Sequence, residues 1–256
     1  MPYDANVRQN GPFLWVALDG LGENEKKTLA IAQKLHEVGG HFGFKVNNDW
    51  LLKHEINAAR RMLPDRDIFA DTKMWNGAST MARSFLTLHN AGFTLTNAHA
   101  LAGGSYEGAG SELKKAITMF RSGVGKGPHM SIYGLTILTH YNGVYSRRMF
   151  KSELPWMVLS LTREALAAGC DGVIVPGNML SRMYRYMIYP KIVPGVRFAG
   201  EGDQEKKHEE TVTPESLAGR TDVQAVCGSP IMNSSDPVAA LKRMLEALHW
   251  EMSTPT

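Results

Sequence analysis

Short unbroken apolar runs alternate with longer stretches whose apolar residues recur every three or four positions, and the alternation persists along almost the whole chain. "FLWVALD" (13–19) carries no polar residue before its terminal acid, which predicts a strand buried on both faces. The stretch after it, "EKKTLAIAQKLHEV", places Leu29, Ala32, Leu35 and Val38 on one helical face. "FGFKVNN" with "DWLLKHEINAARRML" repeats the unit, and so does "DIFADTK" with "STMARSFLTLHNAG", whose closing Gly92 is a natural helix stop. "TLTNAHA" precedes "SELKKAITMF", "SIYGLTILT" precedes a segment ending in "LPWMVLSLTREALAAG", and "DGVIVP" precedes the helix-like "NMLSRMYRYM". The last two strand candidates are "KIVPG" and "DVQAVCG". The second leads into "DPVAALKRMLEALHW", where Asp236 is placed to cap a helix and Pro237 to open it.

Eight strand-then-helix units in 256 residues predict an α/β protein built as one (β/α)8 barrel, with parallel strands inside and helices outside. An open doubly wound sheet is the competing arrangement. It calls for a glycine fingerprint after the first strand, and "LDGLGENE" does not supply G-x-G-x-x-G. The domain is expected to span 1–256, with 1–11 as a short N-terminal extension. Residues 198–213, within the polar, glycine-containing "FAGEGDQEKKHEETVTPE", are expected to form a mobile loop.

Charge narrows the partners. The chain carries 28 basic and 25 acidic side chains, a net +3, without the lysine or arginine block of a nucleic-acid groove. The N-terminal "MPYDANVRQNGPFLW" lacks a charged start followed by an apolar core, and no run approaches the roughly 18 apolar residues of a membrane span. A cytoplasmic protein with neither nucleic-acid nor membrane partners is expected. Cys170 and Cys227, the only two cysteines, each adjoin an apolar run and read as buried thiols of a reducing compartment.

In a barrel, chemistry gathers at the C-terminal ends of the strands. The residues that close the apolar runs are Asp19, Lys45, Asp71 with Lys73, and His99. Strand side chains alternate, so Asp71 and Lys73 are expected on one face, and neighbouring strands stand about 4.8 Å apart. Taken singly, each has an ordinary reading: a turn-forming acid, a snorkelling lysine, a core histidine. Together they predict one partly buried cluster of alternating charge, which is costly unless the charges are paired and used. Acids around a lysine keep it protonated, and a positioned ammonium can hand a proton to a developing carbanion. Decarboxylation without a cofactor fits such a set.

The motifs resemble the orotidine 5′-phosphate decarboxylase family, in order and over nearly the whole chain. They are "VALD", "FKV", "DTKMWN" for the family's D-x-K-x-x-D, "AHALAGG", "LTILT", "VPGVR", and "GSPI" where the family has G-R-[PS]-I. The resemblance implies pyrimidine synthesis by a homodimer with shared sites, acting on a nucleotide without metal or cofactor. It implies that Asp19 binds the ribose hydroxyls, Lys45 joins the charged network, Asp71 faces the departing carboxylate and Lys73 protonates C6 of the pyrimidine. Thr80 would reach a ribose hydroxyl of the neighbouring subunit, Thr139 would meet the pyrimidine and Pro194 would wall the base. Gly228 and Ser229 would hold the phosphate, with the loop from Arg197 closing over it. His99 is a further substrate-side candidate.

Two positions depart from the family pattern. Asn76 stands where the second aspartate crosses into the partner's site, and Ser229 where an arginine grips the phosphate. An amide accepts a hydrogen bond but brings no charge, and a hydroxyl replaces a bidentate contact. A weakened or inactive nucleotide-binding homologue, or a barrel for another phosphorylated substrate, is the alternative. Related sugar-phosphate barrels place a glutamate or histidine metal ligand on strand 2, where this chain has Lys45.

Overall fold

The eight apolar runs become strands β1 Phe13–Ala17, β2 Phe42–Asn47, β3 Ile68–Met74, β4 Leu95–His99, β5 Ser131–Leu135, β6 Gly172–Ile174, β7 Lys191–Pro194 and β8 Val223–Cys227. All neighbours pair in parallel and in chain order, and β8 returns to β1 to close the barrel, as Trp15 pairs with Val226. The computed structural model describes residues 13–104, 111–125, 127–138, 141–200 and 212–248. The expected extension at 1–11 and most of the expected loop at 198–213 lie outside them.

Alternation sorts each strand into two faces. Inward residues form a core of their own, with Phe13, Trp15, Phe69, Leu95, Tyr133 and Ile192 filling the barrel. The buried polar atoms there satisfy one another: the Trp15 indole N–H donates to Gln224 Oε1 at 2.7 Å, and the Gln224 amide donates to the Tyr133 hydroxyl at 2.9 Å. Outward residues such as Leu14, Val16, Phe44 and Ile132 pack under the helices.

The main helices are α1 Glu25–His36, α2 Asn48–Leu51, α3 Ile56–Met62, α4 Ala78–Asn90, α5 Glu112–Val124, α6 Gly143–Phe150, α7 Leu154–Ala167, α8 Pro214–Leu217, α9 Ser229–Met232 and α10 Pro237–Leu248. Asp236 caps α10 as expected, accepting from the Ala239 N–H at 3.0 Å. The helix expected over 49–63 is two, because Glu55 starts a new one by accepting from the N–H groups of Asn57 and Ala58. The helix expected over 178–187 is a pair of 3-10 turns, Gly177–Arg182 and Tyr184–Tyr186. Pro190 has no N–H to bond the Tyr186 carbonyl one turn back, so that helix has nothing to continue on. The fully buried Lys191 ammonium takes the carbonyls of Tyr186 and Tyr189 instead, at 2.8 and 2.7 Å.

Strand β3 is irregular where the site lies. Ala70 pairs with Thr96 and Met74 with Ala98, so β3 advances four positions while β4 advances two. Among the described residues no helix is long and apolar enough to cross a membrane.

Candidate active site

The C-terminal ends of β1, β2 and β3 bring four of the predicted ionisable residues together. Asp19 opens the 3-10 turn Asp19–Gly22 just past β1. Lys45 is buried on β2, and its Nζ reaches Asp19 Oδ1 at 3.2 Å and Asp71 Oδ2 at 3.2 Å. Lys73 Nζ meets the same Asp71 Oδ2 at 2.8 Å. Acid, base, acid, base thus follow one another through direct contacts.

The two lysines differ in access. The Lys45 side chain is 9% exposed and the Lys73 side chain 42%, so Lys45 is locked in the array while Lys73 opens to the cavity. Asp71 is buried. Burial alone would raise its pKa, but the Lys45 and Lys73 charges, with hydrogen bonds from Lys73 and Asn97, hold it below the usual carboxylate range. Because the folded-state value lies below the unfolded one, the ionised array contributes stability above about pH 4, lost as pH falls through the lower folded value.

Asp71 and Lys73 converge as expected, but through the irregularity of β3 rather than through regular alternation. Lys73 has a left-handed backbone, φ 47°, uncommon for a residue with a Cβ. Two residues of the array escaped the sequence reading. Asn47 accepts from Lys45 Nζ and donates to Asp19 Oδ1 at 3.0 Å. Asn97 is wholly buried; its amide donates to Asp71 Oδ1 at 2.8 Å and its carbonyl oxygen accepts from the Lys73 N–H at 2.6 Å. The signal was present, since an amide at an inward position of a buried strand needs partners.

The array floors a cavity of about 280 Å³. Leu135, Ile137, Ile174, Ile192 and Val226 make its apolar wall, with Pro194, Arg197, Gly228 and Ser229 along the other side. A Cβ on Gly228 would stand 2.9 Å from Asp19 Oδ2 and 3.3 Å from the Ala17 Cβ, so a side chain just past β8 would push the Asp19 carboxylate out of its place in the array.

Other predicted residues fall elsewhere. His99 caps the turn Ala100–Ala102, its Nδ1 accepting from the Leu101 N–H at 3.3 Å, and it packs 5.6 Å from the Trp75 ring instead of lining the cavity. Burial pushes its pKa down, which favours the neutral ring. Asn76, in the loop after β3, and Thr80, in the first turn of α4, are exposed and outside the cavity. Thr139 lies outside the described residues. Among the described residues no three His, Cys, Asp or Glu side chains converge to hold a metal ion.

A larger cavity, about 720 Å³, opens at the opposite end of the barrel beside Arg60, Arg66 and Asp67. Its arginines are spent on the scaffold: Arg66 donates to the carbonyls of His36, Gly40 and Phe42, and Arg60 to that of Gly92. That face of a barrel serves stability, so the 280 Å³ cavity is the candidate site.

Comparison with known proteins gives the family. Residues 12–244 match the Orotidine 5'-phosphate decarboxylase / HUMPS family. Orotidine 5'-phosphate decarboxylase of Dictyoglomus thermophilum is 26% identical over 245 residues, covering 93% of this chain and 95% of the relative. That of Syntrophotalea carbinolica is 30% identical over 196 residues, covering 73% and 77%. Among solved structures, orotidine 5'-phosphate decarboxylase from Lactobacillus acidophilus superposes with a TM-score of 0.72 at 23% identity, covering 93% of this chain and 99% of that one. The enzyme from Methanocaldococcus jannaschii, complexed with the inhibitor BMP, gives 0.65 at 16% identity and covers the same shares. This chain belongs to the orotidine 5'-phosphate decarboxylase / HUMPS family.

Proposed function

We propose that the protein decarboxylates orotidine 5′-phosphate to uridine 5′-phosphate, as a cytoplasmic homodimer in pyrimidine synthesis. The observation that carries this reading is the ionised Asp71 held between Lys45 and Lys73 at the floor of the cavity. With the pyrimidine against Pro194, the substrate carboxylate lies beside Asp71 and like charges meet. The C6–carboxylate bond breaks, neutral carbon dioxide leaves and the repulsion goes with it. The electron pair stays on C6 and takes a proton from Lys73 Nζ, whose ammonium also stabilises the carbanion as it forms. Asp19, Asn47 and Lys45 supply the polar rim for the ribose. Asn76 and Thr80 are exposed, which is compatible with their acting on the site of a neighbouring subunit.

Arg197 takes the part of the phosphate arginine that Ser229 cannot play, since it lines the cavity beside Gly228 and Ser229. Arg197→Ala is expected to raise KM for the phosphorylated substrate about 10- to 100-fold, the worth of one charge-assisted hydrogen bond, with a much smaller change in kcat. Steady-state kinetics checks this.

The assay for the reading is loss of orotidine absorbance at high enzyme concentration. No turnover, with normal binding of a uridylate analogue, would refute it. The second reading, a nucleotide-binding homologue with weakened chemistry, is favoured by the neutral Asn76 and Ser229. Asn76→Asp tests it: a gain in turnover of tenfold or more assigns the weakness to the missing carboxylate, and no gain removes that explanation.

A further inference from the structure

The most unusual local feature of the site is the backbone of Lys73. It is left-handed, at φ 47°, one residue before the end of a strand whose register slips by two residues against β4. A residue with a side chain stays in that region only when its surroundings hold it there. Three β4-facing contacts do so. Thr96 Oγ1 donates to the Ala70 carbonyl at 2.9 Å, at the start of the slip. Thr72 Oγ1 donates to the Asn97 carbonyl at 2.9 Å, in its middle. Asn97 Oδ1 accepts from the Lys73 N–H at 2.6 Å, at the turned residue itself.

Asn97 also has an attachment to Asp71, which the threonines lack. Its Nδ2 donates to Asp71 Oδ1 at 2.8 Å, and it is fully buried, so neither end exchanges with water. One rigid amide therefore ties the backbone of the proton donor to the carboxylate that pairs with it. With Oδ1 occupied, Asp71 turns Oδ2 to both ammonium groups, at 2.8 Å from Lys73 and 3.2 Å from Lys45. We propose that Asn97 is the positioning residue of this site: it holds Lys73 in its left-handed turn and fixes which oxygen of Asp71 meets the lysines.

The inference rests on the decarboxylase reading for its kinetic consequence but not for its geometry, and the test separates the two. Asn97→Ala removes both attachments. In a crystal structure of this variant, Lys73 should return to an extended backbone and its Nζ should leave Asp71. In the assay, kcat should fall about 100-fold with KM for the substrate within about threefold, since orientation rather than binding is lost. Asn97→Asp keeps the volume and the acceptor facing the Lys73 N–H, but sets a carboxylate against Asp71 Oδ1. The charged groups around that pair are Lys45 from β2, Lys73 from β3 and, beyond Lys45, Asp19 from the turn after β1. Two adjoining carboxylates hold a shared proton to higher pH than either alone. Below that pH the proton restores the donor. This variant should therefore be slow at neutral pH and recover at least tenfold, relative to wild type, as pH falls toward 5. A merely structural asparagine would lower thermal stability without this inverted pH profile. An unchanged Lys73 backbone in Asn97→Ala, or parallel pH profiles for wild type and Asn97→Asp, would overturn the proposal. If wild type shows no turnover, the decarboxylase reading fails and the Lys73 backbone in either variant still decides the role of Asn97.

Discussion

Replacing Lys73 by alanine is expected to lower kcat by about four orders of magnitude, while the protein folds and binds uridine 5′-phosphate within a few-fold of wild type. The size follows from two losses at one atom: the general acid, worth about 10²–10⁴, and the positive charge opposite the developing carbanion, worth about 10² or more. The fold is spared because Asp71 keeps Lys45 and Asn97 when Lys73 is gone, so no buried charge is left alone. Lys73→Arg should not rescue, since a guanidinium holds the positive charge but does not release its proton. Turnover with analogue binding measured on the same preparations decides the matter; a Lys73→Ala enzyme within tenfold of wild type would exclude Lys73 as the donor.

Asp71→Asn is expected to act on stability and kinetics together. Lys45, with a side chain only 9% exposed, would lose one of its two counter-charges, and Lys73 its only ion-pair partner among the described residues. Lys45 keeps Asp19 and Lys73 is 42% exposed, so no buried ion is left unpaired and the cost is that of weakened charge-assisted contacts, about 1–2 kcal/mol. At about 2–4 °C per kcal/mol for a domain of this size, the thermal midpoint should fall by about 2–8 °C. The kinetic signature is more specific. An amide no longer repels the substrate carboxylate, and both lysines now attract it, so KM should fall while kcat drops at least 10³-fold. Equal losses in kcat and kcat/KM would mean instead that Asp71 acts only in the transition state.

Much of the fold was legible because each level of the sequence repeats one message. Unbroken apolar runs, amphipathic stretches and stop signals recur in one order, which calls for a parallel sheet covered on both faces, and the missing glycine fingerprint favours the closed barrel over the doubly wound sheet. The failures are local and have local causes. Over 178–187 the apolar spacing suits a helix, but Pro190 lacks the N–H and Lys191 claims the carbonyls. Over 49–63 the spacing is right and Glu55 nonetheless begins a second helix, since a capping side chain competes with helical continuity at short range.

The site divides along the same line. Asp19, Lys45, Asp71 and Lys73 could be chosen from the sequence because charge at the end of a buried run is costly, and the cost itself marks the residue. His99 satisfied that rule and still belongs to a turn cap beside Trp75. Asn97 and Asn47 did not satisfy it, being uncharged, yet they make the contacts that orient the lysines and Asp19.

Taken by itself, the sequence determined the barrel, the end of the barrel at which chemistry gathers, and the four charges of the array, because burial and periodicity act on each element separately. Only the tertiary structure decided that Asp71 Oδ2 is shared by both lysines, that Lys73 is turned by a register slip against β4, and that a buried asparagine holds them both. Such relations depend on the registry between strands distant in the chain, which a periodicity of two along each strand does not specify.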